Sequence, residues 1–136
     1  MVSLVGPGGS GKTRLAAEVA GELWRKPRGV VGWVDLASLV DSHLVTQHVA
    51  STLGVREQRG REITGTLLEA LGTSPLLLVL DNCEHLLESC AILADALLRN
   101  TPRLRILATS RQALGIPGER VLPVPPLPVP ATGDDG

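Results

Sequence analysis

Strands that alternate with helices along 136 residues predict an α/β fold in three layers, a mostly parallel sheet with helices on both faces. Three observations carry this expectation. Short aliphatic runs recur near residues 2–5, 30–34, 76–80 and 104–108, with stretches of helical periodicity between them. The run Leu76-Leu77-Leu78-Val79-Leu80 has no polar interruption, as befits a strand buried on both faces. A glycine-rich segment, Gly6 to Thr13, joins the first run to the first periodic stretch.

The elements follow in order. Val2 to Val5 reads as a short buried strand. Leu15, Val19 and Leu23 recur at i, i+4 and i+8 with Ala16 and Ala20 beside them, which predicts a helix with that face inward. Pro27 and Gly29 punctuate, and Val30 to Val34 reads as a second strand ending at Asp35. Asp41 or Ser42 is placed to cap a helix carried by Val45, Val49 and Leu53, and Gly54 closes it. Residues 54 to 61 are polar and loop-like; Ile63, Leu67, Leu68 and Leu71 then make a short helix stopped by Gly72 and Pro75. The 76–80 strand ends abruptly in Asp81-Asn82. Leu86, Cys90, Leu93 and Leu97, with Leu87, Ala91, Ala94 and Leu98, give the next helix a wide apolar face. Pro102 precedes a fourth strand, Leu104 to Ala108, and a last short strand fits Arg120 to Val124.

Residues 123 to 130, Pro-Val-Pro-Pro-Leu-Pro-Val-Pro, favour polyproline II. The expected organisation is a core over residues 1–122 and a proline-rich connector with a frayed tail over 123–136. The other reading of the tract, a docking peptide for a proline-reading domain, lacks a basic residue within it to orient the docking. There is no internal repeat.

Composition narrows the function classes. Hydrophobic residues make up 43% with no Phe or Tyr, so the core is Leu, Val, Ile and Ala. A net charge of −1 gives no global field for nucleic acid or an anionic membrane. Arg25-Lys26-Arg28 and Arg56-Arg59-Arg61 read as solvated surface. Glycines and a lysine interrupt the N-terminus before a secretory signal can form, and no aliphatic run is long enough to span a bilayer; a cytoplasmic location is expected. Cys83 and Cys90, seven apart, read as neighbours on one helix face rather than a bridge. His43, His48 and His85 are not spaced with them as metal ligands.

The segment Gly6-Pro7-Gly8-Gly9-Ser10-Gly11-Lys12-Thr13 fits the phosphate-binding pattern G-x-x-x-x-G-K-[ST] without a mismatch. Glycines let successive N–H groups converge on an anion, where side chains would block the curl. Lys12 would bring a point charge to the β- and γ-phosphates, the Thr13 hydroxyl would ligate Mg²⁺, and the following helix would add its positive N-terminus. An acid at the end of a buried strand is costly unless something binds it. Asp81 therefore suggests the second Mg²⁺-holding element of P-loop NTPases, the Walker B carboxylate; the bland alternative is a cap on the next helix. Many such ATPases place Glu next, but Asn82 stands there. Glu84 is the nearest other acid for orienting a water, so hydrolysis should be slow or conditional. Arg111, after the polar Thr109-Ser110, could sense the γ-phosphate through its bidentate fork. Asp35 reads as a turn former at the same end of the sheet.

The stretches Gly-Pro-Gly-Gly-Ser-Gly-Lys-Thr-Arg-Leu-Ala, Leu-Leu-Leu-Val-Leu-Asp-Asn-Cys-Glu-His-Leu-Leu and Ala-Thr-Ser-Arg-Gln-Ala-Leu-Gly-Ile-Pro-Gly-Glu resemble the STAND class of P-loop ATPases. The nearest likeness is to the NB-ARC-like modules of large bacterial transcriptional regulators of the SARP and LuxR types. The resemblance covers residues 1 to about 128. It implies ATP or ADP with Mg²⁺, a nucleotide-controlled switch, and strand order 5-1-4-3-2. Nucleotide contacts are carried onto Gly6 through Thr13 and Arg14, metal contacts onto Thr13 and Asp81, and catalytic roles onto Lys12, Asp81, Glu84 and Arg111. It further implies that a helical and a winged-helix domain are missing partners, that nucleic acid is not contacted by this module itself, and that a nucleotide-dependent oligomer can form. With Met1 only a few residues before Gly6, weak binding with poor base selectivity is expected. Two other readings stand beside the switch: a P-loop enzyme such as a small-molecule kinase, and an incomplete, non-switching interaction module.

Overall fold

In the computed structural model, residues 1–26 and 30–126 are described. β1 (Val2–Val5), β2 (Val31–Asp35), β3 (Leu76–Asp81), β4 (Leu104–Ser110) and β5 (Arg120–Pro123) form one sheet in the order β2-β3-β4-β1-β5. Read from the other edge, this is the 5-1-4-3-2 order, and every pairing is parallel. Parallel neighbours require crossovers, which the helices supply. They are α1 (Lys12–Trp24), α2 (Val45–Thr52) after a single 3₁₀ turn, α3 (Ile63–Leu71) and α4 (Leu87–Asn100). Register sets Asp35 beside Asp81 and Val5 beside Ser110, so the carboxyl ends of four strands share one edge of the sheet.

Two apolar clusters sandwich the sheet. On one face α2, α3 and α4 pack Val45, Val49, Leu67, Cys90, Leu93 and Leu97 against Val34, Leu78, Leu80 and Ile106. On the other, α1 packs Ala16 and Ala20 against Leu4, Leu77, Val79 and Leu107. The alternation of β4 is legible in burial: Leu104 and Ile106 face the first cluster, Leu107 the second. Local chemistry sets the boundaries. Asp41 Oδ1 accepts the His43 N–H at 2.9 Å to start the turn before α2. Gly54, at φ 76°, ends α2 with Gly54 N–H to Ser51 O and Val55 N–H to Ala50 O, the paired bonds of a Schellman motif.

Three expectations change. The inward side of α1 is Ala16 and Ala20; Leu15 and Val19 are 39% and 44% exposed. Two alanines one turn apart let the helix approach the sheet closely, and the longer side chains are turned aside. β4 runs two residues further than Ala108, because Thr109 and Ser110 pair with Leu4 and Val5. Cys83 lies in the turn before α4 rather than on it, yet its thiol meets that of Cys90. Pro27, Arg28 and Gly29, and the proline tract and tail from Leu127 onward, lie outside the described residues.

Candidate functional site at the carboxyl ends of the strands

β1 ends at Val5 and the chain turns through Gly6 to Gly11 into α1. Gly9 and Gly11 adopt φ of 77° and 86°, a region that side chains resist, and Ser10 N–H closes on Pro7 O at 3.2 Å. Gly6 is confined for another reason: a Cβ there would collide with the Val124 carbonyl. At Gly8 a methyl group would come within 3.1 Å of Arg111 Nη2, so the guanidinium lies directly on the loop. Lys12 is buried within the curl. Its Nζ donates to Gly6 O at 2.7 Å, Pro7 O at 2.9 Å and Ser10 Oγ at 3.3 Å, which uses all three of its protons. The loop thus holds a cation in its own hollow.

Asp81, 3% exposed, stands beside this loop with both carboxylate oxygens bonded. Oδ1 accepts the Thr109 hydroxyl at 2.6 Å and the Thr13 hydroxyl at 2.9 Å; Oδ2 accepts Asn82 Nδ2 at 3.1 Å. A buried carboxylate is tolerable only with such partners. Thr109 is used twice, since its oxygen also accepts the Asn82 N–H at 2.8 Å. That bond holds Asn82 at φ 66°, left-handed backbone that Asn accepts more readily than most residues. Neither Asp81 nor Asn82 caps α4, whose N-cap is Leu86 without a side-chain bond. Asp35 forms a turn, its Oδ1 accepting the Ala37 N–H at 2.9 Å.

Lys12, Thr13, Asp81 and Arg111 are therefore brought together from three elements, 68 residues separating Thr13 from Asp81. Glu84 is half-buried and its Oε1 has no hydrogen-bond partner. Arg14 lies apart, exposed on the outer side of α1 with Ala17, Glu18 and Gly21. Asn82 was not singled out as a site residue from the sequence, and Thr109 was placed at the strand end beside the site but given no role there. The signal was there in Thr109, a polar residue directly after an aliphatic run, and Ala108 pairs with Leu80, one residue before Asp81. Among the described residues no cluster of three or more His, Cys, Asp or Glu is placed to hold a metal. The Thr13 hydroxyl and the Asp81 carboxylate are instead two hard oxygen donors, a set that suits a magnesium ion keeping several waters.

The Cys83 thiol beneath the site is chemically quiet. The hydrogen bond to Cys90 and burial, with the negative charges of Glu84 and Asp81, push the Cys83 thiol well above its ordinary pKa. It stays protonated and unreactive near neutral pH. Among the described residues no helix is long and apolar enough to cross a membrane.

A family model described as an AAA domain matches residues 1–116. An uncharacterized protein of Mycobacterium tuberculosis is 41% identical over 127 residues, covering 93% of this chain and 32% of that protein. A second protein of the same organism, provisionally named an HTH-type transcriptional regulator, is 42% identical over 129 residues, 95% of this chain and 14% of its own length. Among solved structures, Cdc6p from Pyrobaculum aerophilum superimposes with a TM-score of 0.68 at 19% identity, over 90% of this chain and 38% of that one. A Signal Transduction ATPase with Numerous Domains carrying a tetratricopeptide repeat sensor, from Pyrococcus horikoshii, gives 0.60 at 17% identity, over 90% and 20%. These structures share the fold. The chain spans about a third of the first relative and a seventh of the second.

Proposed function

The chain belongs to the AAA domain family, an AAA-type nucleotide-binding domain, and from that premise we propose that it is the ATP- and ADP-binding switch core of a signalling or transcription-regulating ATPase. One observation carries the reading: the Thr13 hydroxyl and the Asp81 carboxylate meet at 2.9 Å beside a glycine loop that encloses Lys12. In this reading the triphosphate enters the loop, takes the Lys12 ammonium from the Gly6 and Pro7 carbonyls, and gains the loop's N–H groups and the N-terminus of α1. Thr13 and Asp81 would supply oxygen ligands to Mg²⁺, and Arg111, already on Gly8, would reach the terminal phosphate.

Hydrolysis is slow or conditional. Asn82 supplies no base, and Glu84 is the acid left to orient a water, although its unpartnered Oε1 is buried and must turn outward to do so. The NB-ARC-like likeness and the name of the longer relative support a cytoplasmic regulator with helical and winged-helix partner domains and nucleotide-dependent assembly. The division into a core, 1–122, and a connector, 123–136, belongs to the same proposal.

Calorimetric titration with ATP, ADP and GTP, with and without magnesium, tests it. Saturable binding of adenine nucleotides that strengthens with magnesium is the expected result. Absence of binding would leave the non-switching interaction module, and consumption of ATP that requires a small-molecule acceptor would favour a kinase.

A further inference from the structure

Parallel strands are ordinarily covered on both faces, and among the described residues β5 is not. All four of its residues are exposed, with Val121 at 45% and Leu122 at 49%. On the Leu122 side α1 lies over β4 and β3, and a groove of about 650 Å³ opens beside it. Leu4 and Leu107 form its floor, Leu15 and Val19 of α1 one wall, and Leu122 the other. The rim carries Lys26 and Arg105, neither in an ion pair among the described residues. Its one acid, Glu22, is already paired with Arg25 at 3.1 Å. Arg105 is exposed although it stands on the central strand of the sheet, because nothing described covers that end of the face.

We propose that this groove seats one amphipathic α-helix, apolar along one stripe and acidic along the flank that meets Lys26 and Arg105, supplied by polypeptide outside these 136 residues. The groove lies in the same layer as α1, beside it, where a three-layer sandwich places a second helix. Leu15 and Val19, one turn apart, offer the ridge that helix–helix packing uses. An added strand would pair with the edge of β5 and leave the groove unfilled. A second copy docked about a twofold axis would set Lys26 and Arg105 against their own like charges. The groove extends toward the amino ends of β1 and β4 and does not rest on the nucleotide reading.

The test is fluorescence anisotropy of the 136-residue chain with a labelled synthetic helix of about five turns, leucines on one stripe and glutamates on its flank. Saturable binding is expected, with a twin carrying lysine flanks bound about tenfold more weakly. Arg105→Glu combined with Lys26→Glu should reverse that preference, and both sites are exposed, so circular dichroism should show an intact fold. Val19→Asp should abolish binding of both peptides. Failure of the glutamate-flanked peptide to saturate, equal binding of the two, or a dimer in light scattering that Val19→Asp dissolves would each overturn the proposal.

Discussion

Asp81 is restrained by three side chains, Thr13, Thr109 and Asn82, and each restraint has its own consequence. Thr109 is wholly buried and both donates and accepts, so Thr109→Val orphans the Asn82 N–H as well as one carboxylate bond. A loss of about 1–3 kcal/mol in chemical denaturation is expected, the cost of a stranded buried polar group. Thr109→Ser should retain most of it, because the hydroxyl survives. Asp81→Ala separates a metal role from a structural one. Nucleotide affinity should fall when Mg²⁺ is supplied and stay unchanged in EDTA; equal weakening in both titrations would assign Asp81 to holding the β3 end alone. The Asp81 position was legible because an acid stopping an aliphatic strand is conspicuous. Asn82 was not, since a left-handed backbone depends on a bond from another strand.

Among the elements, β3 was readable from its unbroken aliphatic run, which is buried on both faces, and α4 from the helical spacing of its apolar face. α1 was misread. Its spacing marks a stripe, but the side chosen by the sheet is set by how closely small residues allow approach, which depends on the partner surface. The loop between β4 and β5 shows another device invisible to periodicity. Glu119 folds back so that its carboxylate accepts the N–H groups of Leu114 and Gly115 at 2.9 and 2.8 Å. Burial pushes its pKa up, but the neighbouring Ser3 hydroxyl and the N–H groups of Leu114, Gly115 and Ile116 outweigh it, and the net value lies below the ordinary 4.5. A depressed carboxylate stabilises the fold above its unfolded pKa and loses that contribution as pH falls through the folded one. The stability gap between wild type and Glu119→Gln should therefore be widest near neutrality and close below about pH 4.5, as measured by urea unfolding across pH. A gap independent of pH would mean that the charge of Glu119 does nothing for the loop.

For the molecule as a whole, strand order makes the site. Inserting β4 between β1 and β3 places Arg111 and Thr109 beside the loop after β1, and the parallel direction sends every strand end to one edge. The order was available in advance through the resemblance, and the alternation of strands and helices supplied the rest. The uneven layering, three helices on one face and α1 on the other among those described, was not legible, because no local pattern reports what fails to cover a strand. The most direct measurement is the affinity of the chain for MgATP before and after Lys12→Ala. That change removes a charge-assisted contact worth roughly 1.5–3 kcal/mol, so binding should weaken about ten- to hundredfold. An affinity that does not move would mean that the amide curl around Lys12 does not grip phosphate.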